Sequence, residues 1–336
     1  MAGKTASVAK ITRPVLAGSY PRSRLFRLID RGRKHQVLWI SAPPGSGKTT
    51  LVSSYLADRR LSSLWLRLDE GDADPPTFFH YLGLAARNVS PRIRKLLPVP
   101  TPEEYPSISL FARRYFERLF ARLKAGSVIV FDDYQKIPAD SEIHAVFRDG
   151  LSLLPPGIRV VIISREQPPT QFARLRAGQG MEVIGWKEIR LSPKETEGIA
   201  HLRWKGKEAR ETIRTLQDVA GGWAAGFVLL LERAGPGSRE LLNLPRQKPQ
   251  EILDYFAGEI LENLDEEMHS FLLKSAYFPW MTGKMAARLT GLARAGQTLS
   301  YLNRHNYFTE VRPGPEPVYE YHPLFRNVLL SAAAAL

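Results

Sequence analysis

Short, uninterrupted apolar runs alternate with amphipathic stretches through the first half of the chain. Val37-Leu38-Trp39-Ile40, Leu64-Trp65-Leu66-Arg67-Leu68, Val128-Ile129-Val130-Phe131, Val160-Val161-Ile162-Ile163 and Met181-Glu182-Val183-Ile184-Gly185 read as strands of a sheet buried on both faces. Between them, residues 22–33, 50–60, 75–89, 108–124 and 143–154 read as helices. Leu25, Leu28 and Ile29 share one face of the first; Phe111, Tyr115, Leu119 and Leu123 share one face of the fourth. Pro75 and Pro76 suit the first turn of the third. Residues 11–185 therefore predict a five-stranded, doubly wound parallel sheet in an α/β domain.

From Leu191 the pattern turns helical. Ser192 and Glu195 have the spacing of a capping box. Residues 212–219 read as a helix that stops at Gly221-Gly222-Trp223, a helix break with a buried Trp rather than a ligand group, and residues 227–233 continue as an apolar helix. Gly235, Pro236, Gly237, Pro245 and Pro249 mark a linker over 235–249. Helices are expected at 250–262, 266–275, 283–290 and 295–304, followed by a hairpin of Tyr307–Val311 and Val318–Tyr321 around a Pro/Gly turn. Helices followed by a hairpin are the outline of a winged helix-turn-helix. The expected parts are a disordered 1–10, a P-loop nucleotide-binding domain over 11–188, a helical domain over 189–248, a winged-helix domain over 249–330, and an appended tail or cut helix over 331–336.

Composition narrows the classes. Apolar residues make up 44% and charged residues 24% of the 336, as in ordinary globular proteins. No apolar run approaches the roughly 18 residues of a membrane span, and no apolar segment with a cleavage site opens the chain. Cysteine is absent, which removes disulfides and thiolate metal sites and fits a cytoplasmic setting. The net charge of +13 permits nucleic-acid or anion binding, but the basic residues are spread along the chain, as on a solvated surface.

The chemistry concentrates in Ala42-Pro43-Pro44-Gly45-Ser46-Gly47-Lys48-Thr49, a phosphate-binding loop with Ala42 in place of the usual first Gly. It follows a strand and opens a helix. Gly45 and Gly47 let successive backbone N–H groups turn toward phosphate, the helix N-terminus adds partial positive charge, Lys48 would reach β/γ-phosphate oxygens, and Thr49 would ligate Mg²⁺. Downstream, four apolar residues end in Asp132-Asp133 at the carboxyl edge of a parallel strand, where ligands bind in such sheets. Asp132 suits the Mg²⁺-holding position and Asp133 the activation of water; the bland alternative is a polar strand end capping the next turn. Arg165, also at a strand end, reads as a sensor of the γ-phosphate or as the partner of a nearby carboxylate.

Several stretches, in order along the chain, resemble the signal-transducing STAND ATPases, in particular the nucleotide-binding module of MalT-like, large LuxR-type activators. They are Arg13-Pro14, Ala42 to Thr50, Leu68-Asp69-Glu70-Gly71-Asp72, Val130 to Tyr134, Ser164-Arg165, Gly221-Gly222-Trp223, Phe271 to Ala276, and Tyr321-His322-Pro323-Leu324-Phe325. The resemblance covers roughly residues 11–330. It implies ATP and ADP as ligands with Mg²⁺, held by Gly45, Ser46, Gly47, Lys48, Thr49 and Thr50, an adenine pocket lined by Arg13 and Pro14, and His322 on the β-phosphate. On the residues alone, His322 would simply pack beside Pro323 and the hairpin. The resemblance further implies an ADP-bound closed state, ATP-driven opening and self-association, slow hydrolysis, and inducer and DNA binding through regions beyond these residues. Two readings from other classes stand beside it: a DNA-dependent P-loop ATPase and a phosphoryl-transfer enzyme with a small acceptor.

Overall fold

The computed structural model describes residues 9–16, 18–89, 97–204, 210–234, 255, 256, 258 and 264–334. The expected linker at 235–249 and most of the expected helix at 250–262 lie outside the described residues. Contacts divide the chain into two units, Met1–Ser41 with Lys48–Gly185, and Ala42–Gly47 with Trp186–Leu336.

The first unit is built on five parallel strands, β1 (Val37–Ser41), β2 (Ser63–Arg67), β3 (Val128–Asp132), β4 (Arg159–Ser164) and β5 (Met181–Ile184), in the order β2-β3-β4-β1-β5. β1 and β3 are buried at every position, which is why they read as unbroken apolar runs. The edge strands, β2 and β5, carry Arg67 and Glu182, whereas the inner strands hold their polar residues at their ends, as at Arg159 and Asp132. Around the sheet lie α1 (Ser23–Arg31), α2 (Lys48–Asp58), α3 (Pro75–Val89), α4 (Ile108–Phe120), α5 (Ile143–Leu151) and the short α6 (Ala173–Ala177). Aromatic rings weld α3, α4 and α5 to β3: Phe131 lies 4.6 Å from Phe147, and Phe79 lies 4.6 Å from Tyr115. Such ring pairs contribute about 0.5–1.5 kcal/mol each beyond their area. Because the strands are parallel, Ser41, Arg67, Asp132 and Ser164 all fall at one edge. β4 lies between β1 and β3, so the strand that ends in Asp132 is two places from the one that leads into the loop.

In the second unit, α7 (Trp186–Ile189), α8 (Pro193–Trp204), α9 (Arg210–Ala220) and α10 (Ala224–Ala234) come first. The capping box forms, with Ser192 N–H donating to Glu195 Oε2 at 2.8 Å. Gly221 and Gly222 adopt φ of +55° and +83°, left-handed values that break the helix between α9 and α10. Then follow α11 (Glu266–Ser275), β6 (Met281–Thr282), α12 (Gly283–Thr290), α13 (Ala295–Arg304), β7 (Thr309–Arg312), β8 (Val318–Tyr321) and α14 (Pro323–Ala333). The three strands are antiparallel in the order β6-β8-β7, giving three helices and a wing. Sequence reading misses three of these elements, the single-turn α7 among them. β6 is two residues long, and α14 hides its start behind Pro323, which a first helical turn accepts. Leu324, Phe325, Val328 and Leu329 are the buried face of α14, and Ser331, Ala332 and Ala333 continue it. The core of this unit gathers Trp223, Phe256, Phe308, Tyr321 and Phe325.

Gly150 of α5 leaves room for the Phe116 ring of α4; a Cβ there would lie 2.4 Å from ring carbons. Overpacking of this kind costs about 1–3 kcal/mol. Gly150→Ala should lower the urea midpoint correspondingly with an unchanged denaturant slope; an unaltered midpoint would show that the two helices give way freely.

Candidate nucleotide site

The loop that joins β1 to α2 has the backbone of a phosphate cradle. Gly45 and Gly47 both lie in the left-handed region, at φ of +68° and +83°. That conformation lets neighbouring peptide N–H groups converge, and only glycine takes it without strain. α2 begins at Lys48, so its N-terminal turn follows the cradle directly. Within the second unit the loop is held from outside. Trp223 Nε1–H donates to Pro44 O at 2.9 Å, and Ala225 N–H donates to Gly45 O at 2.9 Å.

In the first unit the carboxyl edge of the sheet assembles the expected acidic partners. Thr49 Oγ1 lies 3.1 Å from both Oδ atoms of Asp132. Asp133 N–H donates to Asp132 Oδ1 at 3.0 Å, and Asp133 itself is left-handed at φ +57°. Its carboxylate is turned away from Thr49, toward Arg67 Nε at 2.7 Å and Gln135 Nε2 at 3.0 Å. Gln135 Oε1 in turn accepts from the backbone N–H of Arg165 at 2.9 Å. Arg67 and Gln135 thus join a site where sequence reading named only the two acids. Arg67 had a signal: it ends β2, and in register it faces Asp132 across the ladder. Gln135 had none, since it sits in a single 3-10 turn, Tyr134–Lys136.

The charges here perturb one another. Burial, reinforced by the charge of Arg165, lowers the Lys48 ammonium to about 7 against the opposing pull of Asp132 and Asp133. Burial, reinforced by Asp133, raises the Asp132 carboxyl to about 6, opposed by the Thr49 hydroxyl, a backbone N–H and Arg67. Shifts of this size are typical of sites built to meet a charged ligand.

The remaining residues are placed as follows. Arg13 and Pro14 are half-buried, and the Pro14 carbonyl accepts from Ser53 Oγ of α2 at 2.5 Å. Ser46 is buried, its N–H closing a turn onto Pro43 O at 3.3 Å. Thr50 is half-buried, and its carbonyl accepts from Ser54 Oγ at 2.7 Å.

Two buried histidines make a useful contrast. His144 is fully used: Nε2–H donates to Pro138 O at 2.9 Å, leaving Nδ1 to accept from the Tyr134 hydroxyl at 2.7 Å. His322, only 2% exposed at the N-cap of α14, makes no well-aligned hydrogen bond through either ring nitrogen among the described residues, and its polar contact is with the backbone of Gly221 and Ala220. Its ring packs near Phe308 and Trp186, and a Cβ on Gly221 would come 2.5 Å from its Nε2. Burial and the charge of Arg190 lower it to about 4, opposed by the backbone of Gly221 and Ala220, so the imidazole is neutral and keeps one N–H to donate. A buried donor whose hydrogen bonds are poorly aligned is costly.

Residues 257–335 match the family model of the MalT winged helix domain. The chain is 29% identical to the HTH-type transcriptional regulator MalT of Cronobacter sakazakii over 329 residues, 96% of this chain and 36% of that protein. It is 28% identical to the protein of the same name from Klebsiella pneumoniae subsp. pneumoniae, with the same coverage. The chain therefore spans 36% of the length of these curated relatives. Among solved structures, a Walker-type ATPase of Pyrococcus abyssi aligns with a TM-score of 0.61 at 12% identity, covering 93% of this chain and 96% of that one. At that identity the likeness concerns the fold. Over nearly all its length the chain is thus similar to the MalT regulators, with a P-loop ATPase fold followed by a MalT-type winged helix.

Proposed function

We propose that the chain is the nucleotide-controlled switch module of a MalT-like transcription regulator. ADP holds it in a closed resting state; ATP opens it and lets it self-associate; slow hydrolysis returns it to rest. The observation that carries this reading is the pairing of Thr49 with both oxygens of Asp132, directly after the left-handed Gly45–Gly47 cradle. That donor set fits a hard divalent cation: Thr49 and Asp132 would hold Mg²⁺, which when bound neutralises charge on the β/γ-phosphate oxygens. Lys48 adds a point charge to the same oxygens. Asp133, fixed by Arg67 and Gln135, would orient the attacking water, and its engagement with Arg67 suits slow turnover. Arg165, close enough to depress Lys48, would sense the γ-phosphate. His322, neutral and without a well-aligned hydrogen bond, would donate its N–H to a phosphate oxygen. Inducer and DNA binding fall to other parts of such regulators. The net charge of +13 favours one alternative, a DNA-dependent ATPase, which DNA-stimulated turnover would reveal.

Self-association gives the functional test. In light scattering the protein should be a monomer with ADP and a larger species with a non-hydrolysable ATP analogue, and Lys48→Ala should respond to neither. A stable ADP-bound dimer would contradict the switch.

Affinity should also carry a pH signature. Phosphate favours the charged Lys48, so above about pH 7 binding must draw a proton onto it and affinity falls as pH rises. Mg²⁺ requires ionised Asp132, so below about pH 6 the Mg²⁺-dependent part of affinity falls. Titrations with a fluorescent ADP analogue should peak between these values, and omitting Mg²⁺ should flatten only the acid limb. A profile flat from pH 5 to 9, a range set by the two values just given, would contradict the assignment.

A further inference from the structure

The Gly221-Gly222-Trp223 turn contacts the phosphate loop, and its indole makes the contact. Trp223 is fully buried, and its Nε1–H donates to Pro44 O at 2.9 Å. The next peptide of the loop is pinned by Ala225 N–H on Gly45 O at 2.9 Å. The fit is close: a Cβ on Gly45 would lie 2.7 Å from the Tyr255 hydroxyl, 2.8 Å from Ala225 Cβ and 3.0 Å from Trp223 Nε1. The indole cannot swing away easily, because its ring is packed at 5.0 Å from Tyr255, 5.0 Å from Phe256 and 5.2 Å from Phe308.

We infer that Trp223 is a positioning residue for phosphate binding, presetting the cradle by holding the outward carbonyl of Pro44. This rests on the nucleotide-binding reading of the loop. The physical reason is peptide planarity. In a trans peptide the C=O and N–H point in opposite directions, so a bond that fixes Pro44 O outward fixes Gly45 N–H inward. Ala225 pins the next plane, whose Ser46 N–H closes the turn onto Pro43 O at 3.3 Å. A loop with two glycines in left-handed geometry has many competing conformations, and each bond that selects one of them lowers the entropic cost of binding. Phe308 carries the same packing onward. It is itself left-handed, at φ +49°, and its carbonyl accepts from His322 N–H at 2.7 Å. The Phe308 ring thus lies between the indole and the His322 ring.

Trp223→Phe tests this, because it keeps a ring in the aromatic cluster and removes only the N–H. A net hydrogen bond of about 0.5–1.5 kcal/mol corresponds to roughly 2- to 13-fold in affinity. Calorimetry should therefore show ADP and inorganic pyrophosphate both weakened by that factor, since the cradle serves phosphate and not the base. The melting temperature of the ligand-free variant should stay within about 3 °C of wild type. Ala225→Pro, which removes the other N–H that pins the loop and lies in the first turn of α10, where proline is accepted, should weaken both ligands similarly, and it decides the matter if Trp223→Phe does not fold. Unchanged affinities with a lowered melting temperature would make Trp223 structural only, and a loss confined to ADP would place its effect on the nucleoside. Either result overturns the inference. If wild type binds neither ligand, the nucleotide reading itself falls and the inference with it; if wild type binds and both variants bind equally well, only the inference falls.

Discussion

The parallel direction of the five strands is the constraint from which the site of the first unit follows. Parallel strands deliver all their carboxyl ends to one edge, so Arg67, Asp132 and Arg165 converge although they are scattered over about a hundred residues of sequence. Burial then sharpens their chemistry. A carboxyl and an ammonium that would ignore one another in water are driven toward each other's titration range, to about 6 for Asp132 and about 7 for Lys48. Neither shift benefits the fold. Each disfavours the charged form of a group that a phosphate or a divalent cation would restore, which is how a site kept for a ligand differs from a site kept for stability.

In the second unit the corresponding constraint is the helix break. Gly221 and Gly222 stop α9 in a conformation other residues adopt only under strain, and the turn presents Trp223 on one side and space for the His322 ring on the other. Glycine serves both ends: a side chain at Gly221 would collide with the imidazole, as one at Gly45 would collide with Trp223. The winged helix adds Phe308, whose left-handed backbone is secured by the N–H of His322. Such backbone strain persists only where surroundings over-determine it, and it gathers at functional positions.

Much of this was legible in the sequence, for identifiable reasons. The central strands announced themselves because burial on both faces demands unbroken Val, Ile and Leu, and the loop because its glycines sit between a strand and a helix. Asp132 could be placed from its strand end alone. The engagement of Asp133 could not, because it depends on Arg67, 66 residues away in sequence, and on Gln135 in a short 3-10 turn. Trp223 reads correctly as a buried residue at a helix break; its hydrogen bond to Pro44 spans 179 residues and has no local signature. α14 was missed because Pro323 looks like a helix breaker when it is a helix starter. His322 shows the opposite limit: its residue neighbours favoured simple packing, and only the geometry reveals a buried ring against the Ala220–Gly221 backbone with no well-aligned hydrogen bond.

The central claim is that this chain holds a nucleoside diphosphate through its glycine loop. It is tested most directly by heating purified protein and resolving the released supernatant by anion exchange. ADP close to one equivalent per chain from wild type, and none from Lys48→Ala, is the result this account requires. A wild-type protein that releases no nucleotide and binds none when ADP and Mg²⁺ are added would contradict it.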